Sequence, residues 1–139
     1  LYVANETAAT ISEYSINPST GGLTMVAGAP LTTGSSPESL AVDPAGHYLY
    51  VANVTAKNQV AAYSISPSGG ALILSGSPTA AGIFPVSVVL DPSGQFAYVA
   101  NDNSNDISVY AVDAAAGVLT PASHSPFAAG NQPRSIAID

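Results

Sequence analysis

The sequence predicts an all-β chain, a β-propeller segment of three four-stranded antiparallel blades, and three observations carry that reading. The run Leu1-Tyr2-Val3-Ala4-Asn5 returns as Leu49-Tyr50-Val51-Ala52-Asn53 and as Ala97-Tyr98-Val99-Ala100-Asn101, each time 48 residues on. Pro37, Pro85 and Pro133 keep the same spacing, as do Asp43, Asp91 and Asp139. No stretch shows sustained helical periodicity with caps. Repeats of about 40–50 residues, each holding four short strands, have the period of propeller blades. Residues 1–139 therefore form one segment with repeats 1–48, 49–96 and 97–139, the middle copy carrying one extra residue before Val60.

Each element of the repeat has a local cause. Ser39-Leu40-Ala41-Val42-Asp43 is a short apolar run ended by Asp-Pro-Ala-Gly, a strong turn signal, and Leu49–Asn53 follows as its antiparallel neighbour. Val60-Ala61-Ala62-Tyr63-Ser64-Ile65 is rich in the β-branched and aromatic residues that suit a pleated surface. The turn Ser66–Gly70 leads to a fourth run, Leu72–Leu74, and a Gly/Pro segment from Gly76 to Pro85 reaches the next copy. This order makes Leu40–Asp43 the innermost strand and Leu72–Leu74 the rim. Tyr14, Tyr63 and Tyr110 are expected to fill the space between neighbouring blades. A single blade cannot bury both faces alone, so stability has to come from stacking.

The chain opens on a second strand and reaches a first strand again at Ser135–Asp139. Three blades are too few for a closed ring, since propellers have roughly 4–8. The remaining blades are expected either from the same longer chain or from identical short chains that complete the ring together.

Charge narrows the function. Lys57 and Arg134 are the only strong bases against nine carboxylates, for a formal net charge of −7. Nucleic acid and anionic membrane surfaces need clustered bases and are poor candidates as partners. A phosphorylated substrate would have at most two bases to hold it. The chain has no cysteine, so disulfides and thiolate metal sites are excluded. No apolar run approaches the ~20 residues of a membrane span. With 47% hydrophobic and 8% charged residues the chain should fold, and its weakly charged surface suggests a secreted or cell-surface protein.

The motif Asp91-Pro-Ser-Gly-Gln-Phe-Ala-Tyr-Val-Ala-Asn101, followed by Ile107-Ser-Val-Tyr110, resembles the YVTN-repeat, lactonase-like family of seven-bladed propellers. That family spans 6-phosphogluconolactonases, muconate-cyclising enzymes and surface-layer proteins, so resemblance alone does not fix function. Pro133-Arg134-Ser135-Ile136-Ala137 is similar to the Pro-Arg-His-(Ile/Leu)-Ala stretch of its lactonase members, with Ser135 in place of the His. The resemblance implies a channel-facing Arg134 and, with Asn5-Glu6, groups able to bind and polarise a cyclic ester for attack by water. Glu38 and Val86 occupy the Arg134 position in the other two repeats, which places Glu38 beside Arg134 as a second candidate binding group at the channel mouth.

The other candidates rank lower. His47 reads as an exposed turn residue and His124 as a rim residue, too far apart in the repeat to make an acid–base or metal pair. Asp102-Asn103-Ser104-Asn105-Asp106 concentrates oxygen ligands of the kind Ca²⁺ accepts but lacks the EF-hand spacing, so no metal or cofactor is expected. Asn5-Glu6-Thr7 and Asn53-Val54-Thr55 fit the glycosylation pattern, although a strand-ending, loop-capping Asn explains both and Asn101 as well. The missing His and the low charge favour a non-catalytic structural or binding module with a protein or carbohydrate ligand. The alternatives are a lactonase-like hydrolase with further catalytic groups outside this segment, and an oligomeric propeller lectin.

Overall fold

A computed structural model of the chain describes residues 1–54 and 57–139. The described residues form three antiparallel sheets and no helix. The first sheet holds β1 (Tyr2–Asn5), β2 (Thr10–Ile16), β3 (Leu23–Met25) and β4 (Leu31–Thr32). The second holds β5 (Ser36–Val42), β6 (Tyr48–Val54), β7 (Gln59–Ile65), β8 (Leu72–Leu74) and β9 (Thr79–Ala80). The third repeats that order with β10 (Pro85–Leu90), β11 (Phe96–Asn101), β12 (Asp106–Val112), β13 (Leu119–Pro121) and β14 (Phe127–Ala128).

The outermost strand is split. β8 pairs with Tyr63–Ile65 at one end of β7, and β9 pairs with Gln59 and Val60 at the other. The Gly/Pro stretch between them reads as a connection in sequence, yet it only interrupts the fourth strand before the chain returns inward. Ser135–Asp139, expected as a further inner strand, takes no strand conformation. β5 and β10 are strands because each is paired along its length with the strand that follows it. Ser135–Asp139 has no such ladder partner here.

Strict alternation sends successive side chains to opposite faces, and β6 shows what that achieves. Leu49 and Val51 pack with Ile11, Ala61, Tyr63 and Leu72 between the first and second sheets. Tyr50 and Ala52 pack with Val60, Val88, Ala97, Val99 and Tyr110 between the second and third. β6 is thus buried on both faces. Tyr63 and Tyr110 fill the two inter-sheet layers as expected, while Tyr14 lies on the outer face of the first sheet and stays half-buried.

Polar contacts fix how the sheets stack. The Tyr2 hydroxyl donates to the Gly70 carbonyl at 2.7 Å, and the Tyr48 hydroxyl to the Ala115 carbonyl at 2.6 Å. Each bond joins one sheet to a turn of the next. Gly117, at φ +70°, lets the Tyr48 ring lie against that turn, because a Cβ there would overlap the ring. Between inner strands, the Val88 amide donates to Ser39 Oγ at 3.1 Å.

The third sheet leaves an apolar hollow of about 330 Å³ on its outer face, lined by Phe96, Tyr98, Ile107, Val109 and Phe127. The matching positions of the second sheet, among them Tyr48, Tyr50, Val60 and Ala62, are covered by the third sheet. The hollow is therefore a blade-stacking face.

Candidate functional site

One end of the sheets gathers the charged candidates, and a β-bulge is what presents Glu38 there. Pro37 pairs with Asn53 and Ser39 with Ala52, so Glu38 is the extra residue between two ladder positions. Pro85 and Ser87 flank Val86 in the same way. Bulges re-aim a side chain out of the ladder, which explains why this position accepts Glu, Val or Arg while Pro and Ser recur on either side. Arg134 follows Pro133 and precedes Ser135 in the third instance of the same triplet.

The loop after the second strand supplies the opposing group. Asp102 follows the last residue of β11, as Glu6 follows β1. The Asp102 amide donates to the Phe84 carbonyl at 2.9 Å, and the next two amides donate to Ile83, so the loop is fixed against the linker entering β10. The Asp102 side chain is buried, and its Oδ2 lies 3.1 Å from a guanidinium nitrogen of Arg134, whose own side chain is 69% exposed. Asp102 Oδ1 is buried without a hydrogen-bond partner. An isolated buried carboxylate is costly, so Arg134 compensates Asp102 while Asp102 orients Arg134.

Asp102 and Arg134 occupy repeat positions held by Val54 and Val86 one blade earlier and by Glu6 and Glu38 one blade before that. The first of these three pairs along the chain is thus acid against acid, the second apolar and the third an ion pair. The Glu38 carboxyl is raised above its ordinary range, chiefly by burial and further by the charge of exposed Glu6, with Arg134 pulling the other way. Of the three residues singled out from sequence, Glu6 and Arg134 therefore lie within electrostatic reach of Glu38. Sequence reasoning missed Asp102 as their partner, because it treated residues 102–106 only as a possible oxygen-ligand loop.

The remaining candidates fall elsewhere. His47 sits in the β5–β6 turn at the opposite end, where its amide and that of Tyr48 donate to Asp43 Oδ1 at 2.7 and 2.8 Å. His124 lies on the rim between β13 and β14. Among the described residues no group of three or more His, Cys, Asp or Glu could hold a metal ion. Asp106 instead accepts from Asn101 Nδ2 at 2.7 Å. Asn5 donates to Thr10 Oγ1 and Ser12 Oγ across its loop, whereas Asn53, 1% exposed, donates to the Val51 carbonyl of its own strand. Thr55, which completes the second glycosylation pattern, lies outside the described residues. No described helix is long and apolar enough to cross a membrane.

The comparisons with known proteins agree with this architecture. The family model of the seven-bladed β-propeller lactonases matches residues 1–137. No curated protein matches the sequence. Among solved structures, a candidate 6-phosphogluconolactonase of Bacteroides fragilis is 24% identical with a TM-score of 0.83, covering 96% of this chain and 37% of its own. A second candidate 6-phosphogluconolactonase, from Bacteroides uniformis, is 23% identical with a TM-score of 0.84 and coverages of 95% and 38%. The periplasmic gluconolactonase of Pseudomonas aeruginosa is 22% identical with a TM-score of 0.77 and coverages of 94% and 37%. At these identities the likeness establishes the fold, and the chain spans well under half the length of each structure.

The expectation of a non-catalytic structural or binding module is corrected here. The matching family is a lactonase family and these structures carry lactonase names, which favours the hydrolase alternative. With three repeats stacked as blades and the family model matched over residues 1–137, the chain belongs to the seven-bladed β-propeller lactonase family.

Proposed function

We propose that this chain forms part of the channel mouth of a lactone hydrolase, with Arg134 and Glu38 as its working groups. The observation that carries the reading is an exposed guanidinium, held by buried Asp102, within electrostatic reach of a carboxyl raised by burial and by Glu6.

The chemistry follows from those two groups. A lactone carbonyl beside Arg134 is polarised, and the charge that grows on its oxygen during attack is stabilised by the same guanidinium. Glu38, as carboxylate, takes a proton from the attacking water while the water oxygen bonds to the carbonyl carbon. Collapse of the tetrahedral intermediate breaks the bond to the ring oxygen. Glu38 returns its proton there, leaving a hydroxy acid. Glu6 raises the Glu38 carboxyl and so makes it the stronger base.

The test is hydrolysis of a panel of five- and six-membered lactones by the full-length protein, corrected for spontaneous opening. Turnover that falls at least about a hundredfold in Arg134→Ala, the cost of removing one stabilising donor, supports the assignment. Unchanged turnover in Arg134→Ala, or none by the wild type, overturns it.

A further inference from the structure

The second repeat places apolar side chains where the other two place polar ones, at positions that adjoin Glu38 and Arg134. Resting on the reading above, we infer that Ile83, Phe84 and Val86 form a subsite that seats an alkyl substituent of the lactone.

The same short linker and proline recur in every repeat. Ser35-Ser36, Ile83-Phe84 and Asn131-Gln132 stand directly before the proline, and Glu38, Val86 and Arg134 directly after it. The middle instance alone is apolar at all three positions. Backbone geometry does not account for the difference. Phe84 is left-handed at φ +63°, and so is Gln132 at φ +51°. The Phe84 amide donates to Asn58 Oδ1 at 3.2 Å, as the Gln132 amide donates to Asn105 Oδ1 at 2.7 Å. A conformation that glutamine fills in one repeat gives no reason for phenylalanine in another, and a bulky side chain is strained there. The choice of residue therefore answers to what the side chains meet.

Ile83 is 56% exposed although its backbone is clamped. Its amide donates to Ser104 Oγ at 2.9 Å, and its carbonyl accepts from the Asn103 and Ser104 amides at 3.0 and 3.3 Å. An apolar side chain on a fixed backbone binds without the cost of ordering a loop.

The inner strands tie this wall to the working groups. Val86 is the bulge residue of β10, as Glu38 is of β5. The two strands are neighbours, joined by the Val88 amide and Ser39 Oγ. The Phe84 carbonyl accepts from the amide of Asp102, whose carboxylate holds Arg134. Val86 thus stands between Glu38 and Arg134 in the order of the strands. A lactone whose carbonyl meets Arg134, with water activated at Glu38, lies across Val86 and brings a ring substituent within reach of Ile83. The subsite is built from this chain's own residues, whatever the other blades add.

The test uses the full-length protein and a series of γ-lactones bearing no substituent, methyl, ethyl, propyl or butyl at the γ-carbon. Full burial of one methylene is worth about fourfold, so the butyl lactone should exceed the unsubstituted one by at least about tenfold in kcat/KM, mostly through KM. The double variant Ile83→Asn with Phe84→Gln copies Asn131-Gln132 onto the same backbone. It should cut the slope of log kcat/KM against chain length by roughly half or more. Val86→Thr, nearly isosteric, should lower the slope as well. Partial unfolding would depress every lactone alike and leave the slope in place. A wild-type series that is flat or falls, or a slope unchanged in the double variant, overturns the inference. If the wild type turns over no lactone, the hydrolase reading fails on its own, and calorimetric titration with the matching γ-alkyl γ-lactams decides the subsite. Binding that tightens with chain length, and loses that dependence in the double variant, upholds it. No binding, or binding indifferent to chain length, overturns it.

Discussion

Arg134 lies 3.1 Å from Asp102, and the same two repeat positions hold Glu38 and Glu6 in the first instance along the chain. The repeat thus carries different charges at the same two positions from one instance to the next. In one instance the contact holds a cation against a buried acid. In another both positions are acids, and Glu38, raised first by its own burial and further by the charge of Glu6, holds its proton more tightly.

That response sets the pH dependence. Glu38 must be ionised to accept a proton from water, so activity should rise through its raised pKa, above the ordinary carboxylate range. Glu6→Gln removes a negative charge that raises Glu38, and the acid limb of kcat/KM should move to lower pH. The same variant should lower the rate on the plateau, since a less basic Glu38 is a weaker base. An acid limb that stays in place in Glu6→Gln would show that Glu38 does not carry it.

Asp102 and Arg134 are coupled, and a double-mutant comparison separates their roles. Arg134→Ala leaves Asp102 buried without its cation, so stability should fall by more than the ~0–1 kcal/mol of an exposed ion pair. Adding Asp102→Asn should recover most of that loss, because the buried charge is gone. Lactone turnover should not return, since no guanidinium remains. Urea unfolding midpoints and initial rates measured on the same four proteins check both statements.

The strands were legible because two signals recur: an apolar run such as Leu49–Asn53, and a turn such as Asp43–Gly46 whose Asp caps the following amides. The split outer strand was not legible, since a Gly/Pro run reads the same whether it ends a strand or interrupts one. Arg134, Glu6 and Glu38 could be found by aligning the repeats. Asp102 could have been found by the same alignment, as the counterpart of Glu6. It was missed because 31 residues separate it from Arg134, and no local motif spans that gap. Burial of Asp102 follows from the Phe84 and Ile83 carbonyls holding its loop, a tertiary contact that composition does not announce.

Two tyrosines in one inter-sheet layer should respond oppositely to loss of their hydroxyls. Tyr110 donates to the Ala80 carbonyl at 2.7 Å, whereas the Tyr50 hydroxyl is buried with no partner. Tyr110→Phe should cost about 1 kcal/mol and strand the Ala80 carbonyl. Tyr50→Phe removes an unsatisfied group from the same layer and should be neutral or stabilising. Equal losses in denaturant midpoint for the two variants would contradict the hydrogen-bond assignment.

Glu13 gives the packing layer its own pH response. It is 3% exposed on β2, at a position where the second and third sheets carry Ala62 and Val109. Burial raises its carboxyl, with the Leu72 amide opposing through a hydrogen bond. A carboxyl raised on folding binds its proton more tightly in the native state. Its stabilising contribution is therefore complete below the unfolded pKa, about 4.3, and is lost as pH rises through the raised folded value. Glu13→Gln keeps an acceptor for Leu72 and removes the charge. It should raise the thermal midpoint at pH 7 by about a few degrees, on the scale of ~1 kcal/mol in a domain of this size. At pH 4, where Glu13 is itself largely protonated, the advantage should vanish. A pH-independent difference between the two proteins would mean that Glu13 acts through packing and not through its charge.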